Sequence, residues 1–523
     1  MNARFLWIGL LLFGALLLAG CGSKDTLVPT VPEGAQAGEL TGLEACEFQP
    51  AASKVRYAAE CGTLVVPENW DVDGSRLIAL PVTRIPARGV NPAEPVFYLL
   101  GGPGLPNRPW IVPDWLLEDH DVVAVGYRGA DGSVVLECPE VKRLIKAHEG
   151  KDLYSEQARA EYASATKKCA ATHQAAGVDL SGYTVPGIVE DMEAARKALG
   201  YDRINLYSLS FGTRTAQIYA YMHPNSLHRL VLIGVATPGS MLTDPADLDE
   251  SIEYIGELCA KDAACSSRTG DFARTMYEVN HNMPERWLFF KIDPATIRLS
   301  IQMFMTDSKY MPMTFDAYLA AAEGDPSGLA MLNLIAKVMP LEQLFGDQVN
   351  KVGTLDKERY GGIESISLGD SIMGSPMAEA IWPAMEGWPF ELVSKDLREY
   401  QETDVEMLLV DGTLDVSTLP TWLDEASTYF HKAQIVLLPE FGHTGDVQTF
   451  QPEAFERLIT SYYDTGVADD SLYVYQPLSF EPGMRLTVIA RLLVAAMVVL
   501  PALLILGVLL GVRRIRRRQT IKS

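Results

Sequence analysis

From residue 62 to residue 238, short apolar runs alternate with stretches of helical period. Gly62–Val66 and Arg76–Ile85 flank a turn at Asp71-Val-Asp-Gly74, the pattern of paired strands. Pro95–Leu100 is an apolar run ending in Gly101-Gly-Pro-Gly104, and Asp121–Val125 is a second one leading into Tyr127-Arg-Gly129. Residues 139–180 read as a polar, mostly helical excursion. Gly187–Leu199 puts Ile188, Met192, Ala195 and Leu199 on one helical face and stops at Gly200. Ile204–Tyr207 is again a buried strand, Thr213–Met222 a helix and Leu230–Val235 a strand. Such alternation predicts a mainly parallel α/β sheet. After Thr237 the period changes: residues 242–400 carry helical patterns and few strand signals, which predicts an inserted helical cap. The sheet resumes with Val405–Val410 and Gln434–Leu438, and Pro452–Tyr463 is a final amphipathic helix.

The two ends follow another pattern. Met1–Arg4 is short and basic, Phe5–Ala19 is apolar, and Leu18-Ala19-Gly20-Cys21 closes the run with small residues. This predicts a lipoprotein signal over 1–20, cleaved before Cys21, whose thiol is then acylated. Leu492–Val512 has 21 residues without a charge, enough to span about 30 Å of hydrocarbon. Arg513, Arg514, Arg516, Arg517 and Arg518 follow directly, and positive residues stay on the cytoplasmic side. The expected layout is a tether over 21–45, an α/β core over 46–241 and 401–465 with the cap at 242–400, and a juxtamembrane linker at 466–491. A membrane helix at 492–512 and a cytoplasmic tail at 513–523 complete it. The body is thereby expected on the outer face of a bacterial cell membrane, held by a lipid and a helix.

At 523 residues and 48% hydrophobic composition, the chain can bury a large core and two structural units. Nine of its 44 basic residues lie in 1–21 and 485–523, leaving 35 against 67 acidic ones. A body of that charge repels nucleic acid, which is therefore not an expected partner. Besides Cys21 there are six cysteines, an even number that suggests disulfides in an exported protein. Cys259 and Cys265 close a short loop, and Cys46 with Cys61 and Cys138 with Cys169 are neighbours in sequence. No CxxC or metal-type Cys/His spacing occurs, so neither a metal nor a cofactor is expected.

Ser210 falls on the turn between a predicted strand and a predicted helix, the position of a nucleophile elbow. Gly212 supplies one small neighbour, while the usual first glycine is Ser208. A base and an orienting acid should follow in the order Ser, acid, His. Met407–Asp415 ends a strand in a turn presenting Asp415, and Val436–His443 does the same for His443. Asp411 is the rival acid, closer to the strand body. In these roles His443 takes the Ser210 proton and Asp415 holds the imidazole tautomer. The oxyanion needs two preorganised donors. The expected ones are the amides of Phe211 and Gly102, since Pro103 has no N–H. The glycine loop does not fit the dinucleotide pattern G-x-G-x-x-G.

Gly101-Gly-Pro-Gly104, Tyr127-Arg-Gly129, the Leu199–Thr213 elbow stretch, Cys259…Cys265, the Asp415 turn and Gly442-His443 together resemble the proline iminopeptidase and tripeptidyl aminopeptidase branch of the α/β-hydrolases. The resemblance covers roughly residues 46–465. It implies a serine hydrolase under a helical cap that removes N-terminal residues from short peptides. Three departures stand out: Leu100 where the family often has His, Gly126-Tyr127 in place of Asp-Gln, and Ser208 for glycine. They leave the three catalytic candidates in place and leave esters and amides open as substrates. A catalytically idle hydrolase fold serving as a surface binding protein is the reading from another class. Glu379 and Glu386 are cap carboxylates of the kind that could hold a substrate amine, and neither is assigned.

Overall fold

The computed structural model describes residues 29–51, 53–109, 111–147, 155–338 and 344–520. The expected leader and Cys21 lie outside the described residues. In chain order the strands are β1 (Leu40–Phe48), β2 (Tyr57–Pro67), β3 (Leu77–Ile85), β4 (Val96–Leu99), β5 (Val122–Val125), β6 (Ile204–Leu209), β7 (Leu227–Ile233), β8 (Arg286–Trp287), β9 (Phe290–Lys291), β10 (Glu406–Gly412) and β11 (Ala433–Leu438). The helices that matter below are α1 (Val185–Ala198), α2 (Phe211–Met222), α3 (Pro294–Phe304), α4 (Met311–Ala322), α5 (Ser327–Val338), α6 (Phe345–Asp356), α7 (Pro376–Gly387), α8 (Thr444–Thr449), α9 (Pro452–Thr465) and α10 (Leu486–Thr520).

Among the described residues, nine strands form one sheet in the order β1-β2-β3-β5-β4-β6-β7-β10-β11. The first three pair antiparallel, β3 meets β5 antiparallel, and β5 through β11 run parallel. The chain has the α/β-hydrolase fold.

Register follows from the period of two in a strand. Phe97 and Leu99, Leu206, Leu230 and Leu232, and Met407 and Leu409 point to one face, where α1 and α2 cover them. Val96 and Tyr98, Tyr207 and Leu209, Val231 and Ile233, and Leu408 and Val410 point to the other, under α9. With both faces covered, the central strands are apolar at most positions, and β4, β5 and Leu230–Ile233 appear in the sequence as unbroken runs, whereas β6 also buries Asn205 and Ser208.

Under the antiparallel edge lies a buried ion pair. Arg128 is fully buried and gives Asp191 two hydrogen bonds, at 2.7 and 2.5 Å. Its remaining donors reach the carbonyls of Glu68, Gly182 and Pro67. Trp70 Nε1 adds a 3.0 Å bond to Asp191. A charge taken out of water is tolerated only when its donors are all used, and here they are.

The described residues of 242–400 are mainly helical, with the two-residue strands β8 and β9, and they pack into two apolar clusters, one shared with residues 136–183 and the other with Leu414, Val416 and residues 478–490. Three disulfides join Cys46 to Cys61, Cys138 to Cys169 and Cys259 to Cys265. β1 begins at Leu40, inside the stretch expected to be a tether, and pairs along β2. The stretch expected as a free linker also packs: Leu478 and Phe480 are buried in the cap cluster, with the Phe480 ring 5.5 Å from Phe315. The helix starts at Leu486, six residues before the uncharged run, because Leu486 and Ala490 still have the cap to bury against. By length and composition, Leu486–Arg513 is able to cross a membrane.

Arg128→Met should destabilise the fold by about 3 kcal/mol, since Asp191 keeps a buried charge without its main partner. A denaturant midpoint unchanged from the parent would contradict this account of the edge.

Candidate active site

The central strand β6 ends at Leu209, and α2 begins at Phe211. Ser210 lies between them at φ 52° and ψ −124°, one of three non-glycine residues with positive φ among the described residues. A side chain held there costs on the order of 1–3 kcal/mol and persists only where its surroundings over-determine it. Those surroundings are specific. Ser210 N donates to Ile233 O at 2.8 Å, while its own carbonyl accepts from the amide and hydroxyl of Thr213 at 2.8 and 2.6 Å. Gly101 passes so close that a Cβ there would stand 2.4 Å from Ser210 Cβ, and one on Gly212 would meet Leu99 O at 2.4 Å. Ser208 departs from glycine without harm, because its buried hydroxyl donates to Val231 O at 2.7 Å.

The glycine loop is fixed from below. The Asn107 side chain accepts from Leu100 N at 2.9 Å and donates to Tyr98 O and Val125 O at 2.9 and 2.8 Å. Tyr127 Oη donates to Leu100 O, and Asp131 accepts from the amides of Asn107 and Tyr127. From above, the cap closes on the loop: Leu344 N donates to Gly104 O at 2.9 Å, and Asp347 on α6 pairs with Lys351 at 2.6 Å. Among the described residues, the amides of Gly102 and Phe211 donate to no protein group.

On the other side of Ser210, β10 leads to Asp415, which is fully buried. Its Oδ2 accepts from His443 Nδ1 at 2.5 Å and from the Thr418 hydroxyl at 2.9 Å. Its Oδ1 accepts from the amides of Ser417 and Thr418 at 2.7 and 3.0 Å. Burial alone would raise its pKa, but His443 and these donors reverse the effect and hold the carboxyl below its usual range. Asp411 is pushed well above that range by burial and by the charge of Asp415 beside it. Of the two acids, Asp415 is the one that reaches the imidazole; Asp411 accepts from the amides of Val235 and Gly412.

The His443 ring lies over Gly234, where a Cβ would come within 2.6 Å of its Cε1. Gly234 follows Ile233, whose carbonyl receives the Ser210 amide, so imidazole and serine stand over neighbouring strand ends. Ser210 Oγ itself makes no hydrogen bond among the described residues, an arrangement common before substrate binds. Cap and core meet again here: His443 N donates to Thr306 O at 2.7 Å, and Asp446 accepts from both Gly442 N and Ser308 N.

Asn107, Thr418 and Gly234 thus belong to the site, and sequence reasoning missed them. For Thr418 a signal existed, since an Asp followed by Ser and Thr two and three residues on commonly folds back on its own amides. Glu379 is spent inside the cap, paired with Arg298 at 3.0 Å, and Glu386 accepts from Trp382 Nε1. Among the described residues, no group of three or more His, Cys, Asp or Glu side chains could hold a metal ion.

Comparison with known proteins points to the same fold. A family model described as "alpha/beta hydrolase fold" matches residues 94–260, and one described as "TAP-like protein" matches residues 374–471. Among curated proteins, the tripeptidyl aminopeptidase of Streptomyces lividans is 24% identical over 44% of this chain and 45% of its own length. The serine protease Hip1 of Mycobacterium tuberculosis is 25% identical over 55% of this chain and 56% of its own. The chain spans about half the length of the curated relatives it matches. One family model covers the glycine loop and Ser210, the other Asp415 and His443, and both point to one assignment: the chain is a TAP-like α/β-hydrolase.

Proposed function

We propose that the protein is a serine peptidase-like hydrolase that releases N-terminal residues from short peptides through an acyl-enzyme on Ser210. The observation that carries this reading is the Asp415–His443 hydrogen bond at 2.5 Å, placed over the strand end next to a serine in a strained elbow. In the first step His443 Nε2 removes the Ser210 proton as Oγ attacks the scissile carbonyl carbon. Asp415 keeps the Nδ1 proton in place and stabilises the imidazolium that forms. The oxyanion takes hydrogen bonds from the two free amides, Gly102 and Phe211, each worth about 3 kcal/mol of barrier. His443 then protonates the leaving amine as the C–N bond breaks. Water, deprotonated by the same imidazole, releases the acyl group and restores the serine hydroxyl.

The aminopeptidase specificity draws its support from relatives named tripeptidyl aminopeptidase and serine protease. The membrane tether draws its support from α10, an apolar helix followed by clustered arginines. Positive residues on the inner side leave the catalytic body outside. Acylation of Cys21 would add a second anchor.

A fluorophosphonate probe should label the parent protein at Ser210 and leave Ser210→Ala unlabelled; a folded parent that takes no label would remove the enzyme claim. Cleavage of tripeptide chromogenic amides faster than of simple esters is expected, and the reverse order would reassign the substrate class. Asp415→Asn should lower kcat/KM by about 10^4-fold through loss of the correct tautomer. Asp411→Asn, which keeps a neutral hydrogen-bonding group beside Asp415, should retain most of the activity. Equal losses in the two variants would overturn the assignment of the acid. Gly101→Ala should lose probe labelling while the melting curve of the stapled fold persists, because the added methyl falls on the nucleophile's own Cβ.

A further inference from the structure

The cap carries a feature that the hydrolase site does not use. β8 and β9 form a minimal hairpin, closed by a 2.9 Å bond from Ile292 N to Glu285 O, with Leu288 and Phe289 at its tip. Leu288 holds φ 52°, a turn position that usually falls to glycine or asparagine. Both tip side chains face water, at 57% and 63% exposure. Behind them Trp287 and Phe290 stack with ring centres 5.9 Å apart, and Arg286 and Lys291 flank the pair as exposed cations. A strained turn that displays two large apolar groups destabilises the isolated protein, so its use lies in what it touches.

Its position indicates what that is. Trp287 and Phe290 line one small crevice together with Met331 and Leu334 of α5 and Ala490 and Leu493 of α10. α10 is docked on the cap up to this level and bare beyond it: Leu486 and Ala490 are buried, whereas Met497 and Val498 are at least half exposed. Arg491, the last charge before the apolar run, pairs with Asp325 at 2.6 Å. From Leu493 to Val512 is 20 residues, which at 1.5 Å per residue gives about 30 Å, the thickness of a hydrocarbon core. The hairpin therefore stands where the helix would enter lipid.

We propose that the β8–β9 hairpin is a membrane-docking wedge, with Leu288 and Phe289 entering the outer leaflet beside α10 and Arg286 and Lys291 meeting anionic headgroups. The proposal rests on the reading of α10 as a membrane anchor. Leu288 and Phe289 gain by burial in hydrocarbon, and Trp287 behind them suits the interface because its indole joins an apolar body to an N–H that can stay near water. Flanking cations add attraction to anionic lipid and locally offset the acidic body. A second contact beside the helix turns a single swivelling anchor into a fixed orientation of the cap over the membrane.

The test uses the full chain in nanodiscs of mixed phosphatidylcholine and phosphatidylglycerol, with an environment-sensitive fluorescent amino acid at position 289, 498 or 90. Val498 lies in the bare part of α10 and Val90 is a fully exposed loop residue far from it in sequence. The expected result is a blue-shifted emission quenched by shallow spin-labelled lipid at 289 and 498, and neither effect at 90. Quenching at 498 without quenching at 289 would overturn the wedge and leave the anchor standing. No quenching at 498 would overturn the anchor and the wedge with it, while quenching at all three positions would mean unspecific adsorption and overturn the wedge alone. With the wedge in place, Arg286→Glu combined with Lys291→Glu should weaken quenching at 289 and leave that at 498 unchanged.

Discussion

The backbone of Ser210 is the constraint around which the rest is arranged. An L-residue at φ 52° is disfavoured by on the order of 1–3 kcal/mol, and nothing local to a strand–helix turn repays that. The surrounding fold does. β7 receives the Ser210 amide, Thr213 takes its carbonyl twice over, and Gly101 and Gly212 leave room where any side chain would collide with backbone. The product is a hydroxyl lifted out of the sheet edge, above the first free amide of α2. The positive end of the helix dipole lies under the same point.

What keeps the partners in place is a layer of polar residues that do no chemistry. Asn107 ties three strand-end groups together, and Thr418 braces the carboxylate that braces the imidazole. Each is satisfied internally, so the layer is rigid. The two adjacent acids differ by environment: burial and the charge of Asp415 push the Asp411 carboxyl well above the usual range, whereas the imidazole and the surrounding donors hold Asp415 below it. The cap is coupled to this layer at two places, through Gly104 on the oxyanion side and through Thr306 and Ser308 on the histidine side. A shift of the cap would therefore be felt by both halves of the site. The last segment of the body joins in, since Glu440, three residues before His443, accepts hydrogen bonds from Tyr475 Oη and Leu478 N on the way to α10.

The parallel half of the sheet was legible in the sequence because burial on both faces forces unbroken apolar runs, as in Val96–Leu99 and Leu230–Ile233. The elbow, Asp415 and His443 were legible because each comes within five residues of the end of an apolar run. β1 was not: it is an edge strand, its residues from Leu40 to Phe48 mix acids, glycine and apolar groups, and only one face needs covering. The packed segment around Leu478 and Phe480 escaped because its two anchors sit among prolines with no period to detect. The β8–β9 hairpin escaped because two residues per strand carry no alternation. Thr418 and Asn107 escaped for a different reason: a side chain whose role is to hold another is ordinary until the partner is seen.

The central claim is that Ser210, His443, Asp415 and the amides of Gly102 and Phe211 act on one reacting carbon. Its most direct test is a crystal structure of the protein after reaction with a fluorophosphonate. The expected adduct has phosphorus bonded to Ser210 Oγ, its oxygen within hydrogen-bond distance of both amides, and His443 Nε2 facing the Oγ. An adduct whose oxygen points away from Gly102 and Phe211, or whose phosphorus is on another residue, would contradict it.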